Sequence, residues 1–281
     1  MIIEKVINNN TVSVLDGNNE LILMGKGLGF GKKPGQEVYE NSIEKKFKLD
    51  NANEVEKFKE LIGTVSQECL EASIDIIEYG KSVMKGKISN GIYISLTDHL
   101  SFAITRVKQG IVFENPLYDE IQSYYPSEFL LGKYGLNIIK EQLGVELPKA
   151  EAASIALHFV LSEYDLGMSD TMNVTQLISK IVDIVNESLG INIEDMGLNY
   201  SRFITHLKFL SQRIFQNKLL DSQDDVFLEM IAARYPEEYN ISKKICDYIE
   251  KKYEKKITKE EETYLAIYIR RLVMDKEENN A

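Results

Sequence analysis

Long apolar runs are missing from this chain. No stretch approaches the ~18 residues of a membrane-spanning helix, and the opening MIIEKVINNN puts Glu4, Lys5 and three asparagines where a secretory signal would carry its apolar core. The expected location is cytoplasmic. Cysteine and proline are scarce too, two and five in 281 residues. Cys69 and Cys246 lie far apart in helically periodic segments, without CxxC or metal-site spacing, and read as reduced core residues. With 44% hydrophobic and 27% charged residues, low-complexity and collagen-like classes are excluded and packed cores are expected. Cations are outnumbered: 33 Lys plus Arg stand against 44 Asp plus Glu, a net charge of −11. Such a balance normally argues against nucleic acid, whose phosphates need cations. The local pattern differs from the sum. Residues 1 to 50 hold seven lysines and seven acids, so the whole deficit lies beyond them. Met24 to Gly35 (MGKGLGFGKKPG) has three lysines, five glycines, one aromatic, Phe30, and no acid.

Two periodicities divide the chain. In the first fifty residues, IIEKVI, VSVL, ELILM and IEKKFKL read as strands separated by NNNT and DGN turns, a small antiparallel sheet. A sheet of that size buries too little apolar surface to stand comfortably alone, so it is expected to pair with a copy of itself as a homodimer or to lean on the rest of the chain. Beyond it the period is helical over 54–63, 66–84, 92–108, 127–144, 149–163, 172–188, 198–216, 222–233, 237–254 and 259–274. The fold class is therefore α+β multidomain, a small antiparallel sheet followed by two all-α bundles. The duplication is visible in the residues. Tyr125-Pro126-Ser127-Glu128 recurs 110 positions on as Tyr235-Pro236-Glu237-Glu238, with Lys149 and Lys259, Glu151 and Glu261, and Ala156 and Ala266 at the same offset. Upstream, at offset 107, His99, Leu100, Phe102 and Arg106 recur as His206, Leu207, Phe209 and Arg213. The expected domains are 1–55, a linker 56–63, modules 64–170 and 171–276, and a tail 277–281.

All three histidines, His99, His158 and His206, lie in the modules, and two share a repeat position. No pair falls at i, i+3 or i, i+4 and no HExxH is present, so no metal or cofactor is expected. A histidine here is either a hydrogen-bonded structural residue or a nucleophile that accepts phosphate. Arg106 and Arg213 follow seven residues on, on the same helical face; each either meets that phosphate or pairs with a nearby carboxylate. Asp98, just before His99, is a candidate for orienting the ring. The alternating glycines 25, 27, 29 and 31 fit neither GxGxxG nor a P-loop. They permit close backbone approach to a ligand, with Phe30 free to stack on a splayed base, or they form a hairpin whose Phe30 caps the sheet edge. Asn8 to Asn10 read as turn chemistry or as amides that read base edges.

KVINNNTVSV (Lys5 to Val14), MGKGLGFGKKPG and IEKKFKL resemble the RNA-binding domain of the BglG/SacY-type transcriptional antiterminators, and SLTDHLSFAI (Ser95 to Ile104) and IALHFV (Ile155 to Val160) resemble their first phosphotransferase regulation domain (PRD). The resemblance implies a dimer that binds an imperfect hairpin in the leader RNA of a sugar-utilisation operon and so precludes an overlapping terminator. It implies RNA contacts by Asn8, Asn10, Gly25, Lys26 and Phe30, with Lys5 added on charge. It implies phosphorylation of His99 and His158 through a sugar-specific enzyme II, switching the protein off, and of His206 by the phosphocarrier HPr, switching it on. One departure stands out: Tyr268 occupies the place of the family's second histidine in the second module. The alternatives are a DNA-binding activator sharing these modules, disfavoured because no helix-turn-helix periodicity precedes them, and a histidine phosphocarrier or metabolic enzyme, disfavoured because no acid and base pair, cofactor loop or oxyanion device is present.

Overall fold

The computed structural model describes residues 1–17, 19–49, 51–111, 114–164, 168–220 and 225–279. Strands β1 (Ile3–Asn8), β2 (Thr11–Asp16), β3 (Asn19–Met24) and β4 (Lys45–Phe47) pair antiparallel in chain order. Two-residue turns set the register: Asn8 pairs with Thr11, and Asp16 with Asn19, where Gly17 takes the positive φ of +60° that such a hairpin asks of its first turn residue. β4 is shorter than the alternation of IEKKFKL suggests. Only Lys45 to Phe47 pair, against Met24 to Ile22, because a 3-10 turn at Glu40–Ser42 delivers the chain to the sheet late. Phe47 and Leu49 still point inward, as the alternation requires.

Each sheet face is covered by a different part of the chain. Ile3, Val12, Val14, Leu21 and Leu23 pack with Leu28 and Val38 from the long β3–β4 connection. Ile22, Met24, Phe47 and Leu49 join Val55, Phe58 and Ile62 in the core of the first helical module. Residues 56–63, expected as a linker, thus lie inside α1 (Ala52–Thr64), whose amphipathic repeat turns Val55, Phe58 and Ile62 onto the sheet. Asn51 caps it by accepting from Glu54 N at 3.0 Å. Phe58 is fully buried, worth roughly 1.5–3 kcal/mol for such a side chain, and the Phe47 ring meets those of Phe58 and Tyr93 edge-on at 5.4 and 5.0 Å. The sheet leans on the rest of the chain, one of its two expected ways to bury surface. Chain contacts cluster into two units, Met1–Asp165 and Leu166–Ala281.

Within the first unit α2 (Gln67–Val83), α3 (Ile92–Lys108), α4 (Tyr118–Tyr124), α5 (Pro126–Leu143) and α6 (Glu151–Tyr164) follow α1. The second unit holds α7 (Met168–Leu189), α8 (Gly197–Gln216), α9 (Asp225–Arg234), α10 (Pro236–Tyr253) and α11 (Lys259–Asn279). The repeat is carried into packing: α2 touches α3 and α5, α3 touches α6, and α5 touches α6, just as α7 touches α8 and α10, α8 touches α11, and α10 touches α11. The ten expected helical segments correspond to helices, and among the described residues beyond the sheet two elements escaped the pattern, seven-residue α4 and the 3-10 turn Ile193–Met196. Residues 222–224 and the last two of the 277–281 tail lie outside the described residues. Cys69 is buried in the first module as expected, whereas Cys246 is only half-buried on α10; both are free, and burial pushes both thiols up. Among the described residues no helix is long and apolar enough to cross a membrane.

Candidate nucleic-acid interface and histidine clefts

The glycine loop leaves β3 at Met24 and is tied down by its own backbone. Gly25 N donates to Asn10 O and Gly29 N to Asn9 O, both at 2.9 Å, so the loop hangs from the β1–β2 turn. Asn8 and Asn10 build that junction: Asn8 Oδ1 accepts from Asn10 N at 2.9 Å, and Asn10 Oδ1 from Gly27 N at 2.8 Å. Both acceptor oxygens therefore serve turn chemistry, and Asn8 Nδ2 reaches Ile62 O at the outer limit of 3.5 Å. Two glycines are required by contact. A Cβ on Gly25 would stand 2.2 Å from Ser42 O, and one on Gly29 2.2 Å from Asn8 O. Gly27 and Gly31, at φ of +67°, are required by conformation.

This scaffold holds Phe30 outward. The ring is 73% exposed, flanked in sequence by exposed Lys26 and by Lys32 and Lys33, on a loop whose backbone is bonded at each turn. It does not cap the sheet edge. Lys5 is exposed on β1, and Gly25 is buried beneath the loop. The surroundings are not uniformly basic. Asn10, Gly25 and Lys26 share a depression of about 280 Å³ with Glu44 and with Gln67 and Glu71 of α2.

The histidines occupy a helix seam in each module. In the first, α3 brings His99 and α6 brings His158 with ring centres 4.9 Å apart. Glu151, 1% exposed at the start of α6, approaches His99 Nε2 at 2.9 Å with one oxygen and takes the Arg106 guanidinium on the other. Asp98 is exposed, so the carboxylate holding the ring is Glu151. Burial, then the neighbouring His99, lowers the His158 pKa to about 3. In the second module α8 and α11 stack His206 on Tyr268, 4.3 Å apart and 17° from parallel. Glu261, fully buried, receives Arg213 through Nε at 2.7 Å and Nη2 at 2.6 Å, and Leu220 N at 3.0 Å. Both its oxygens are engaged, and His206 Nε2 has no hydrogen-bond partner among the described residues. Burial, followed by the nearby Arg213 charge, lowers the His206 pKa to about 4, against an opposing pull from Glu261. Both His158 and His206 are neutral at pH 7, the form in which a ring nitrogen attacks phosphorus.

The sequence put all three histidines in the modules and each arginine on the same helical face as a histidine, and showed the Glu151/Glu261 repeat without giving it a role; the seams that join them come from the helix packing. The signal was available, since a carboxylate that recurs with a histidine and an arginine is a candidate partner for both. Among the described residues no group of three potential metal ligands forms.

Comparisons with known proteins agree with this division. The CAT RNA binding domain family matches residues 1–56, and the PRD domain family matches 74–162 and 179–272. An RNA-binding sheet domain followed by two PRD modules defines a regulator of transcription rather than an enzyme. The chain is 44% identical to the transcription antiterminator LicT of Bacillus subtilis (strain 168), over 97% of this chain and 99% of that protein. It is 38% identical to the beta-glucoside operon antiterminator of Dickeya chrysanthemi, over 100% of both. A crystal structure of GlcT CAT-PRDI, 35% identical, matches 58% of this chain and 97% of that one with a TM-score of 0.52. The chain belongs to the BglG/SacY family of transcriptional antiterminators.

Proposed function

We propose that this antiterminator acts in the cytoplasm as a homodimer on an imperfect hairpin in the leader RNA of a sugar-utilisation operon, folding the RNA so that an overlapping terminator does not form. The RNA-binding unit is residues 1–55, with Lys5, Asn8, Asn10, Gly25, Lys26 and Phe30 at the contact, and modules 64–170 and 171–276 regulate it. The observation that carries this reading is Phe30, an aromatic ring 73% exposed on a backbone-bonded loop among three lysines. Exposing such a ring has no benefit to the isolated fold, and a base stacked on it repays the exposure. The loop's hydrogen bonds mean that little ordering entropy is lost on binding. The Asn8 and Asn10 acceptors are engaged in the turn, so their share in recognition falls to holding the loop and to donation from the side-chain amides.

Phosphate reaches the histidines in this reading from enzyme II at His99 and His158 and from HPr at His206. Glu151 supports a switch, because a phosphate next to a carboxylate that is 1% exposed brings nearly two negative charges beside a third and competes for Arg106. Tyr268 stands where the family has a second histidine, and its phosphate ester would not be an energy-rich phosphoramidate, so the second module answers to HPr through His206 alone.

Two measurements test these assignments. Phe30→Ala is expected to weaken hairpin binding by the ~1–3 kcal/mol of one stacked base, roughly fivefold to a hundredfold, with sedimentation showing an unchanged oligomeric state. Loss of the dimer together with binding would make the ring structural. In the second assay, HPr-driven labelling followed by mass spectrometry should find no phosphate in the second module of His206→Ala; label surviving there would end the single-histidine reading.

A further inference from the structure

The two modules share a second cleft away from the histidines. In the first it measures about 530 Å³ and opens between the C-terminal end of α2, the start of α5 and the end of α6, with Tyr79, Glu128, Leu130, Tyr134 and Glu163 among its lining. In the second, about 480 Å³ is enclosed by the corresponding parts of α7, α10 and α11. The 110-residue offset places Glu128 on Glu238, Tyr134 on Lys244 and Glu163 on Val273, all of them lining residues.

One glutamate is common to both, the third residue of a helix that begins at the repeated Tyr-Pro, and it is buried in both: Glu128 is 8% exposed and Glu238 6%. The helix N-terminus favours a carboxylate equally in the two. Their partners differ. Glu238 is met by Arg270 Nη1 at 3.3 Å, and that guanidinium lies 5.6 Å from the centre of the Tyr235 ring. In the first module the place of Arg270 is taken by Val160, fully buried and without charge. Among the described residues the Glu128 carboxylate makes no hydrogen bond and no ion pair, and its oxygens open to the cleft although the residue as a whole is buried. Lys85 also lines the cleft but is exposed and does not pair with it. Beside Glu128 stands a stacked pair of tyrosines, Tyr79 and Tyr134, with ring centres 4.1 Å apart and Tyr79 41% exposed.

We propose that the first module binds a guanidinium-bearing ligand in this cleft, with Glu128 accepting from the cation and the Tyr79–Tyr134 pair flanking its planar face. The second module closes a carboxylate–guanidinium pair within the chain, its guanidinium lying against Tyr235, the counterpart of buried Tyr125; the first has Val160 in place of that guanidinium, and the rings at its cleft are a different pair, Tyr79 and Tyr134. A planar cation donates to a carboxylate in its plane while its face lies on a ring; a tetrahedral ammonium does not do both. The volume suits a ligand of amino-acid size. Such a group comes either as a free small molecule or as an arginine side chain of another protein.

Calorimetric titration of the full chain distinguishes the cases, using ethylguanidinium, the acetylated and amidated peptide Gly-Arg-Gly, and butylammonium as the control. One site per chain is expected for the guanidinium probes, with the NMR signals of Tyr79 and Tyr134 shifting. Glu128→Gln, which preserves shape, should weaken binding about tenfold. Arg270→Ala, which opens the second cleft, should raise the stoichiometry from one to two. Tighter binding of the peptide supports a partner's arginine, and equal binding supports a free cation. Absence of saturable binding by either guanidinium probe, indifference to Glu128→Gln, or equally tight butylammonium would overturn the proposal. If Arg270→Ala does not fold, Glu128→Gln decides alone. No RNA enters the readout, so failure here leaves the antitermination reading as it stands.

Discussion

At the scale of single residues, the two histidine seams are the same design with different partners for the carboxylate. Glu151 divides itself between His99 and Arg106, while Glu261 gives both oxygens to Arg213 and leaves His206 to stack on Tyr268. The pH behaviour of His206 follows. Its folded pKa of about 4 lies below the ordinary 6.5, mainly from burial, so as pH falls the unfolded chain takes up the proton first. Stability associated with this residue is intact above pH 6.5 and drains away between there and 4. An NMR titration of the imidazole should give a midpoint near 4, and His206→Gln should flatten the pH dependence of unfolding of the second unit over that window. A midpoint near 6.5 would mean that the ring is solvated and the seam open. Much of this was legible in the sequence, since His99, Arg106 and Glu151 recur as His206, Arg213 and Glu261. What was hidden is which oxygen each carboxylate offers to which partner, because that depends on helix packing across some fifty positions of chain.

At the scale of elements, helix ends show how closely the two modules track each other and where they part. α5 ends at Gly144 with φ of +68°, donating to Lys140 O at 3.0 Å, the usual left-handed cap. The same position of α10 is Glu254, held at φ of +56° with the equivalent bond to Glu250 O at 3.0 Å. A side chain there costs about 1–2 kcal/mol that glycine does not. Glu254→Gly is therefore expected to stabilise the second unit by about 1 kcal/mol against urea; a loss of stability would show that the Glu254 side chain makes a compensating contact. The sequence marked helical periods over 127–144 and 237–254, and the helices begin one residue earlier, at the repeated Pro126 and Pro236. It gave no sign of α4, where two buried residues in seven, Ile121 and Tyr124, are too few to establish a period, and tertiary contact with α5 and α6 holds the turns in place. It also concealed the role of 56–63, whose helical pattern was seen but not its partner, the sheet.

At the scale of the whole molecule, the first unit joins RNA-binding sheet and regulatory helices in one core, and α3 runs through both roles. Tyr93 packs on Phe47 of β4 at 5.0 Å, and His99 lies on the same helix less than two turns further on. Lys45 pairs with Asp75 of α2 at 3.2 Å, and Asn90 Nδ2 donates to Lys48 O at 2.9 Å, so the sheet's last strand is fastened to the module at both ends. α2 also reaches the candidate RNA face, where Glu71 stands with Asn10, Gly25 and Lys26 around one depression. A carboxylate there opposes the approach of RNA phosphate and falls within a Debye length of it at low salt. Glu71→Gln should accordingly strengthen hairpin binding about two- to threefold at low ionic strength, with the gain fading as salt screens the charge. Filter binding across a salt series measures both effects. Unchanged affinity at low salt would place bound RNA beyond the reach of α2, and the module would then have to act on the sheet through α3 and the shared core alone.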